Sequence, residues 1–321
     1  MSLVAISLTI LGLIVAALIA LVGYSVFTTR RIVANAEKAA PPRGTYIEIE
    51  GNRIHYVEQG EGRPILFVHG LGAQLNHFRA PIFPLLSGYR LVALDRPGSG
   101  YSTRVRGGKA TLTEQARLVA KFIDALKLDR PLLVGHSLGG AVSLMTALNH
   151  PDKVAGLALV APLTAHRDDI PPQFQALAIR SDLKRWLLSQ TLAVPKSLQY
   201  AEQTLTFVFG PQKWPDDYGT EGGGWSGLRP SHIYASGTDF VALEHEMPAI
   251  EKRYGELKMP VGILFGTADR VLEYDRHGLA MRDKVKGLEL ELLDGIGHMP
   301  QFVAAEKTAA FIKRMAAKSF A

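Results

Sequence analysis

The chain has 321 residues, 47% of them hydrophobic, no cysteine, and a formal charge of +6 from 36 Lys+Arg against 30 Asp+Glu. That composition buries a substantial core and excludes disorder, and the lack of thiols excludes disulfides, thiolate metal sites and a cysteine nucleophile. The basic residues are spread along the chain, so no nucleic-acid groove and no nucleic-acid partner is indicated.

Residues 4–27 are 24 consecutive residues without a charge, dominated by Leu, Ile, Val and Ala. A helix of about 20 such residues spans a hydrocarbon core of about 30 Å, so this run is expected to be a transmembrane helix. A cleaved signal peptide fits less well: Met1-Ser2-Leu3 carries no basic residue, and the run exceeds the usual apolar length of about 7 to 15 residues. Arg30, Arg31, Lys38 and Arg43 follow against Glu37 alone, where anionic lipid headgroups would lie. Within the run Gly12, Ala16 and Ala20 recur every four residues, a small-residue stripe that would let a second helix approach and form a homodimer. Pro41-Pro42 ends the helix and sets a domain boundary at residue 42.

From residue 43 strands and helices alternate. Residues 46–50 and 53–58 read as a hairpin turning at Gly51-Asn52. Short apolar runs follow at 64–68, 90–94, 131–134, 154–160, 260–265 and 288–293, with helical patterns such as 113–126 and 138–149 between them. Continuous apolar strands separated by helices predict an α/β fold with a mostly parallel sheet covered on both faces.

The candidate chemistry lies at the ends of three of these strands. Residues 131–134 lead into Gly135-His136-Ser137-Leu138-Gly139-Gly140 and then a helix, which is G-x-S-x-G in a strand–turn–helix context. A serine hydroxyl is a poor nucleophile without a base, so a histidine held by a carboxylate is required. His298 stands in Gly295-Ile296-Gly297-His298-Met299-Pro300 after the last strand. Asp269 stands in Gly266-Thr267-Ala268-Asp269-Arg270 after the strand before it.

With Phe67-Val68-His69-Gly70-Leu71-Gly72, Asp95-Arg96-Pro97-Gly98-Ser99-Gly100 and the chain order Ser, Asp, His, residues 43–320 resemble the α/β-hydrolase superfamily. The resemblance implies an α/β-hydrolase fold with a helical cap insertion. It also implies Ser137 as nucleophile, His298 as base, Asp269 as its orienting acid, and an oxyanion hole from the backbone N–H groups of Leu71 and Leu138. Serine at the elbow departs from the related dehalogenases and epoxide hydrolases, which carry aspartate there. His69 and His136 are read as structural or pocket-lining, and Asp275 and Asp294 as weaker rivals for the acid role. His245 and His277 are read as isolated surface residues; no metal spacing and no cofactor motif is present.

Residues 164–256 break the alternation, with helical segments at 174–192 and 197–209 and then Pro- and Gly-rich sequence holding Trp214, Tyr218 and Trp225. This stretch is expected to be the cap, between core segments 43–163 and 257–321. The anchor plus this domain resembles membrane-bound esterases, monoacylglycerol lipases and a bacterial membrane-anchored phospholipase A. The implied activity is a membrane-anchored serine carboxylester hydrolase with a lipid or ester substrate. A short-chain esterase or peracid-forming hydrolase would share every catalytic residue, and a silent receptor or scaffold would share the fold. The resemblance implies a catalytic domain on the periplasmic face of a bacterial inner membrane, whereas Arg30-Arg31 favours the cytoplasmic side.

Overall fold

The computed structural model of the chain describes residues 2–166, 170–243 and 246–321. Its first element is a single helix α1, Leu3–Ala39, started by the Ser2 side chain accepting from the Ala5 N–H. The apolar run expected to span a bilayer forms less than two thirds of its length. Residues 7–24 are exposed, Gly12, Ala16 and Ala20 among them, and burial begins at Ser25 and continues at Thr29 and Ala36. The last third of α1 packs on the protein: Ala36 joins Val194 and Leu228 in a small cluster, and Arg229 pairs with Glu37 at 2.9 Å.

Eight strands form one sheet in the order β1-β2-β4-β3-β5-β6-β7-β8. They are β1 Thr45–Ile49, β2 Asn52–Gln59, β3 Arg63–Val68, β4 Tyr89–Leu94, β5 Leu132–His136, β6 Gly156–Val160, β7 Val261–Gly266 and β8 Glu289–Leu293. The β1–β2 and β2–β4 pairs are antiparallel and the remaining five are parallel. The hairpin turns one residue earlier than expected. Ile49 pairs with Asn52, so Glu50 (φ 52°) and Gly51 (φ 78°) form the turn, while the Asn52 side chain donates to the Ile49 carbonyl. Two residues with positive φ match the twist of a two-residue hairpin.

Strand residues alternate between two cores, as the pleat requires. Leu66, Val68 and Leu133 face one, where α2 (Leu112–Ala125) and α3 (Leu138–Asn149) pack; Ile65, Phe67, Leu132 and Val134 face the other, where Phe311, Ile312 and Met315 of the C-terminal helix pack. Burial on both faces explains why the central strands β5, β6 and β7 read as apolar runs, whereas the edge strand β8 carries Glu289 and Glu291 and is only partly buried.

The helical insertion between β6 and β7 is more broken than the sequence suggests. The segment expected to be helical over 174–192 is a 3-10 turn, Pro172–Leu177, followed by α4, Asp182–Gln190. The Ser181 hydroxyl accepts from the Lys184 N–H and starts that helix afresh, which is a local N-cap that apolar spacing does not reveal. The segment 197–209 is two helices, α5 (Ala193–Gln199) and α6 (Ala201–Phe209), separated at Tyr200. A fourth, α7 (Pro230–Ala242), packs on α4 and α5.

Candidate active site

The parallel strands all end on the same side, and the loops that follow them build the site. Ser137 is the residue between β5 and α3, with φ 52° and ψ −120°, a conformation that costs a non-glycine residue about 1–3 kcal/mol and persists only when the surroundings enforce it. Here they do: the Ser137 N–H donates to the Val160 carbonyl, and its own carbonyl accepts from Gly140 and Leu163. Gly139 is required because a Cβ there would stand 2.0 Å from the Val68 carbonyl oxygen. The first turn of α3 therefore lies directly against the end of β3, beside the loop that carries Leu71.

His298 and Asp269 arrive from the ends of β8 and β7. The His298 Nδ1 lies 2.7 Å from Asp269 Oδ2, and the two side chains are 5% and 0% exposed, so the pair is sheltered from water. The other carboxylate oxygen of Asp269 accepts from the Val271 and Leu272 N–H groups at 2.7 and 2.9 Å. These bonds fix the carboxylate and leave Oδ2 for the imidazole, an arrangement in which Nδ1 carries a proton and Nε2 is the free acceptor. Gly297 lets this loop approach the insertion, since a Cβ would meet the Gly210 carbonyl at 2.2 Å. Asp275 and Asp294 do not take this place: Asp275 accepts from the Arg276 N–H, and Asp294 from the Thr267 hydroxyl.

Ser137 and His298 face one cavity of about 1080 Å³, and Leu71 and Leu138 line it beside them. The remaining wall is largely apolar and comes from the insertion, with Phe174, Leu177, Leu205, Val208, Phe240 and Leu243 prominent. Leu138 is the first residue of α3, so its N–H has no intrahelical partner.

His136 also lines the cavity. Its Nε2 lies 2.9 Å from the His298 carbonyl and its ring 4.9 Å from the His298 ring. Burial, aided by His298, holds it well below the ordinary histidine range; it is a neutral support for the loop that presents His298. His69 is fully buried, bonded to the Gly70 carbonyl through Nδ1 and accepting the Arg96 N–H through Nε2. His277 is not on the surface as expected. It is completely buried, and its Nδ1 accepts from the Thr164 and Ala165 N–H groups, tying the start of the insertion to the loop after β7. Isolation in sequence said nothing of its surroundings in space. His245 lies outside the described residues.

Two sets of contacts in the site are not written in any motif. Arg96, 1% exposed, donates to the His69 and Gly70 carbonyls at 3.0 and 2.8 Å and to Asp239 of α7 at 2.6 Å, while Arg104 bonds the other Asp239 oxygen. The loop bearing Leu71 is thereby clamped to the insertion. Asp95 holds the same loop from its far end, accepting from the Leu75 N–H at 2.8 Å. The second is a polar pair in the cavity wall, Tyr218 Oη at 3.0 Å from His77 Nε2. Burial raises the Tyr218 hydroxyl's pKa and pushes His77 down to about 3.

The sequence model of the alpha/beta hydrolase fold matches residues 63–305. The chain belongs to this family. Among curated proteins it is 28% identical, over 79% of its own length and 87% of the other's, to the 2-hydroxy-6-oxo-6-phenylhexa-2,4-dienoate hydrolase of Burkholderia cepacia. It is 36% identical to the acetyltransferase component of the Cupriavidus necator acetoin cleaving system, but that match covers 40% of this chain and only 34% of the other. Among solved structures, a membrane phospholipase A described as a bacterial virulence factor superposes with a TM-score of 0.69 at 25% identity, covering 98% of this chain and 99% of that one. The likeness to that enzyme therefore takes in α1 as well as the hydrolase body.

Proposed function

We propose that this α/β-hydrolase is a membrane-anchored serine carboxylester hydrolase acting on lipid acyl esters, of the phospholipase A, lysophospholipase or monoacylglycerol lipase kind. The observation that carries the reading is a serine at a strained strand–helix turn facing the same cavity as a histidine whose Nδ1 is held by a buried, doubly braced carboxylate. In the proposed reaction His298 takes the Ser137 proton through Nε2 as Oγ attacks the acyl carbon. Asp269 keeps the imidazole in the required tautomer and stabilises its charged form. The N–H groups of Leu71 and Leu138 receive the developing oxyanion, about 3 to 4 kcal/mol per donor. The alcohol leaves with the proton from His298, and water, activated by the same base, releases the acid.

Lipid is favoured over small esters by the size and apolar wall of the cavity, which at about 1080 Å³ exceeds what a short acyl group fills. The insertion serves as the cap that shapes it, over residues 164–256, with the hydrolase core in 43–163 and 257–321. The exposed apolar part of α1 is proposed as the anchor, with the body on the periplasmic side. Protease protection of the body in spheroplasts would reverse the sidedness.

The test is a panel of p-nitrophenyl esters and defined phospholipids offered to the full-length protein, together with a fluorophosphonate probe. The expected result is labelling of wild type, none of Ser137→Ala, and turnover that rises with acyl length. Ester hydrolysis by Ser137→Ala above background would overturn the mechanism, and a preference for acetate or butyrate would move the substrate to short-chain esters.

A further inference from the structure

Outside α1, eight large apolar side chains are exposed among the described residues, and seven of these lie between residues 170 and 200. Single exposed apolar residues are ordinary, whereas a concentration in one stretch is not. Leu183, Trp186 and Leu187 project from α4, Leu192 from the α4–α5 junction, Leu198 from α5 and Tyr200 from its end, with Lys184 and Lys196 exposed between them.

The height of this surface along α1 is fixed by direct contacts. The Thr29 hydroxyl donates to the Thr191 carbonyl, and Ala36 packs on Val194. At 1.5 Å per residue, the 20 residues from Val4 to Gly23 span about 30 Å, a full hydrocarbon thickness. The lipid headgroup level thus falls near residues 24–28, within about one and a half turns of Thr29, and the α4–α5 junction is at that level.

We propose that the exposed face of α4 and α5 is a second membrane-contact surface, seated in the headgroup–acyl boundary beside the anchor, through which the acyl ester enters the cavity from the bilayer. The inference rests on the anchor reading of α1. Its chemistry suits that depth: Trp and Tyr present an apolar body with a polar tip, Leu reaches the acyl chains, and lysines meet anionic headgroups. The same surface borders the cavity, because Ile170, Ala193, Lys196 and Tyr200 also line it. A lipid acyl chain would pass from membrane to Ser137 along these residues without crossing bulk water.

The absence of cysteine makes site-directed spin labelling of the full chain direct. Leu187→Cys and Leu192→Cys would be labelled, with Leu18→Cys in the anchor and Lys286→Cys, exposed in the loop before β8 at the opposite end of the sheet, as references. The proteins are reconstituted in phosphatidylethanolamine/phosphatidylglycerol vesicles, and accessibility to oxygen and to a neutral nickel chelate is read. The expected result is nickel accessibility at positions 187 and 192 severalfold below that at 286, with oxygen accessibility between those at 286 and 18. Labels at 187 and 192 as open to nickel as that at 286, while 18 is in lipid, would overturn the second surface and spare the anchor. Nickel access at 18 would overturn both. Protection from both reagents with broadening that grows with protein-to-lipid ratio would assign the surface to a second copy. Independently, Leu187→Asp with Leu192→Asp should lower hydrolysis of vesicle phospholipid severalfold and leave turnover of p-nitrophenyl butyrate in detergent unchanged. Equal loss on both substrates would count against the proposal.

Discussion

At the scale of single residues, the site depends on side chains whose second bonds leave them no choice of orientation. Asp269 is the clearest case, since its Oδ1 is used by the Val271 and Leu272 N–H groups and only Oδ2 is left for His298. Asp269→Asn would keep the first two bonds and turn an amide N–H₂ toward Nδ1, favouring the wrong imidazole tautomer. On the proposed mechanism kcat falls by about 10⁴ with folding retained, measurable by steady-state kinetics beside a thermal melt. The buried histidines make a second prediction. Burial lowers His69, His77, His136 and His232 from the usual value near 6.5, His77 to about 3. Between those values the unfolded chain binds more protons than the folded one. Stability is therefore full above about pH 6.5 and declines as pH falls from there toward about 3. His77→Phe should flatten that decline by up to one proton, about 1.4 kcal/mol per pH unit, as read from urea midpoints between about pH 8 and pH 4. An unchanged slope would mean His77 is already charged in the folded protein. The strand-end positions of Ser137, Asp269 and His298 were legible in sequence because each sits among small residues after an apolar run. His277 was misread because nothing in its neighbours' identity reports burial.

At the scale of elements, the contact that matters most was invisible in the sequence. Arg96 and Asp239 are 143 residues apart, and although Arg96 lies in a strand-end motif, Asp239 lies in none, so nothing in the sequence joins the two; yet their pairing fastens α7 to the carbonyls of the loop that carries Leu71. A buried arginine without its carboxylate is strongly destabilising, by about 3–5 kcal/mol when one partner is removed. Asp239→Asn should lose a large part of that, because Arg96 and Arg104 would then share one neutral side chain. The measurement is a urea midpoint together with kcat and KM. Loosening of the loop predicts that kcat drops along with stability, whereas a stability loss at unchanged kcat would confine Asp239 to holding α7. The central strands, by contrast, were readable almost to the residue, since burial on both faces writes itself as continuous apolar sequence. The insertion helices were readable as helical but not as separate pieces. Their breaks come from a serine N-cap at 181 and a change of backbone at Tyr200, both local and both without periodicity.

At the scale of the whole molecule, α1 has two unlike parts along one axis. Its first two thirds are exposed and apolar, while its last third is part of the folded body through Thr29, Ala36 and the Glu37–Arg229 pair, with the Tyr101 hydroxyl donating to the Ala40 carbonyl. Truncation should separate these roles. A chain starting at residue 25 keeps every packing contact and should melt close to the full protein. A chain starting at residue 43 exposes Val194 and Leu228 and should melt several degrees lower, as scanning calorimetry in one detergent would show. Equal melting of the two would mean that the packed third of α1 adds nothing to stability. The charge pattern also divides. Arg30 and Arg31 are exposed within about one turn of Phe27, where headgroups would lie, but Lys38 is about 16 Å beyond Phe27 along the helix. Arg43 is engaged by Glu221, so only the first two of the four basic residues stand where lipid phosphates would meet them.

The helix runs from Leu3 to Ala39 without a break, and no hinge separates the part that would sit in lipid from the part bolted to the body. A protein on a flexible tether samples the membrane at any angle, whatever the bilayer's thickness. With α1 as the proposed anchor, the bilayer would set the posture of the protein: where the hydrocarbon is thinner than the apolar run, the helix would lean to stay covered, and the hydrolase body with it. Membrane thickness, set by lipid composition, would thus change how closely the mouth of the cavity meets the surface, making lipid packing itself an input to the rate.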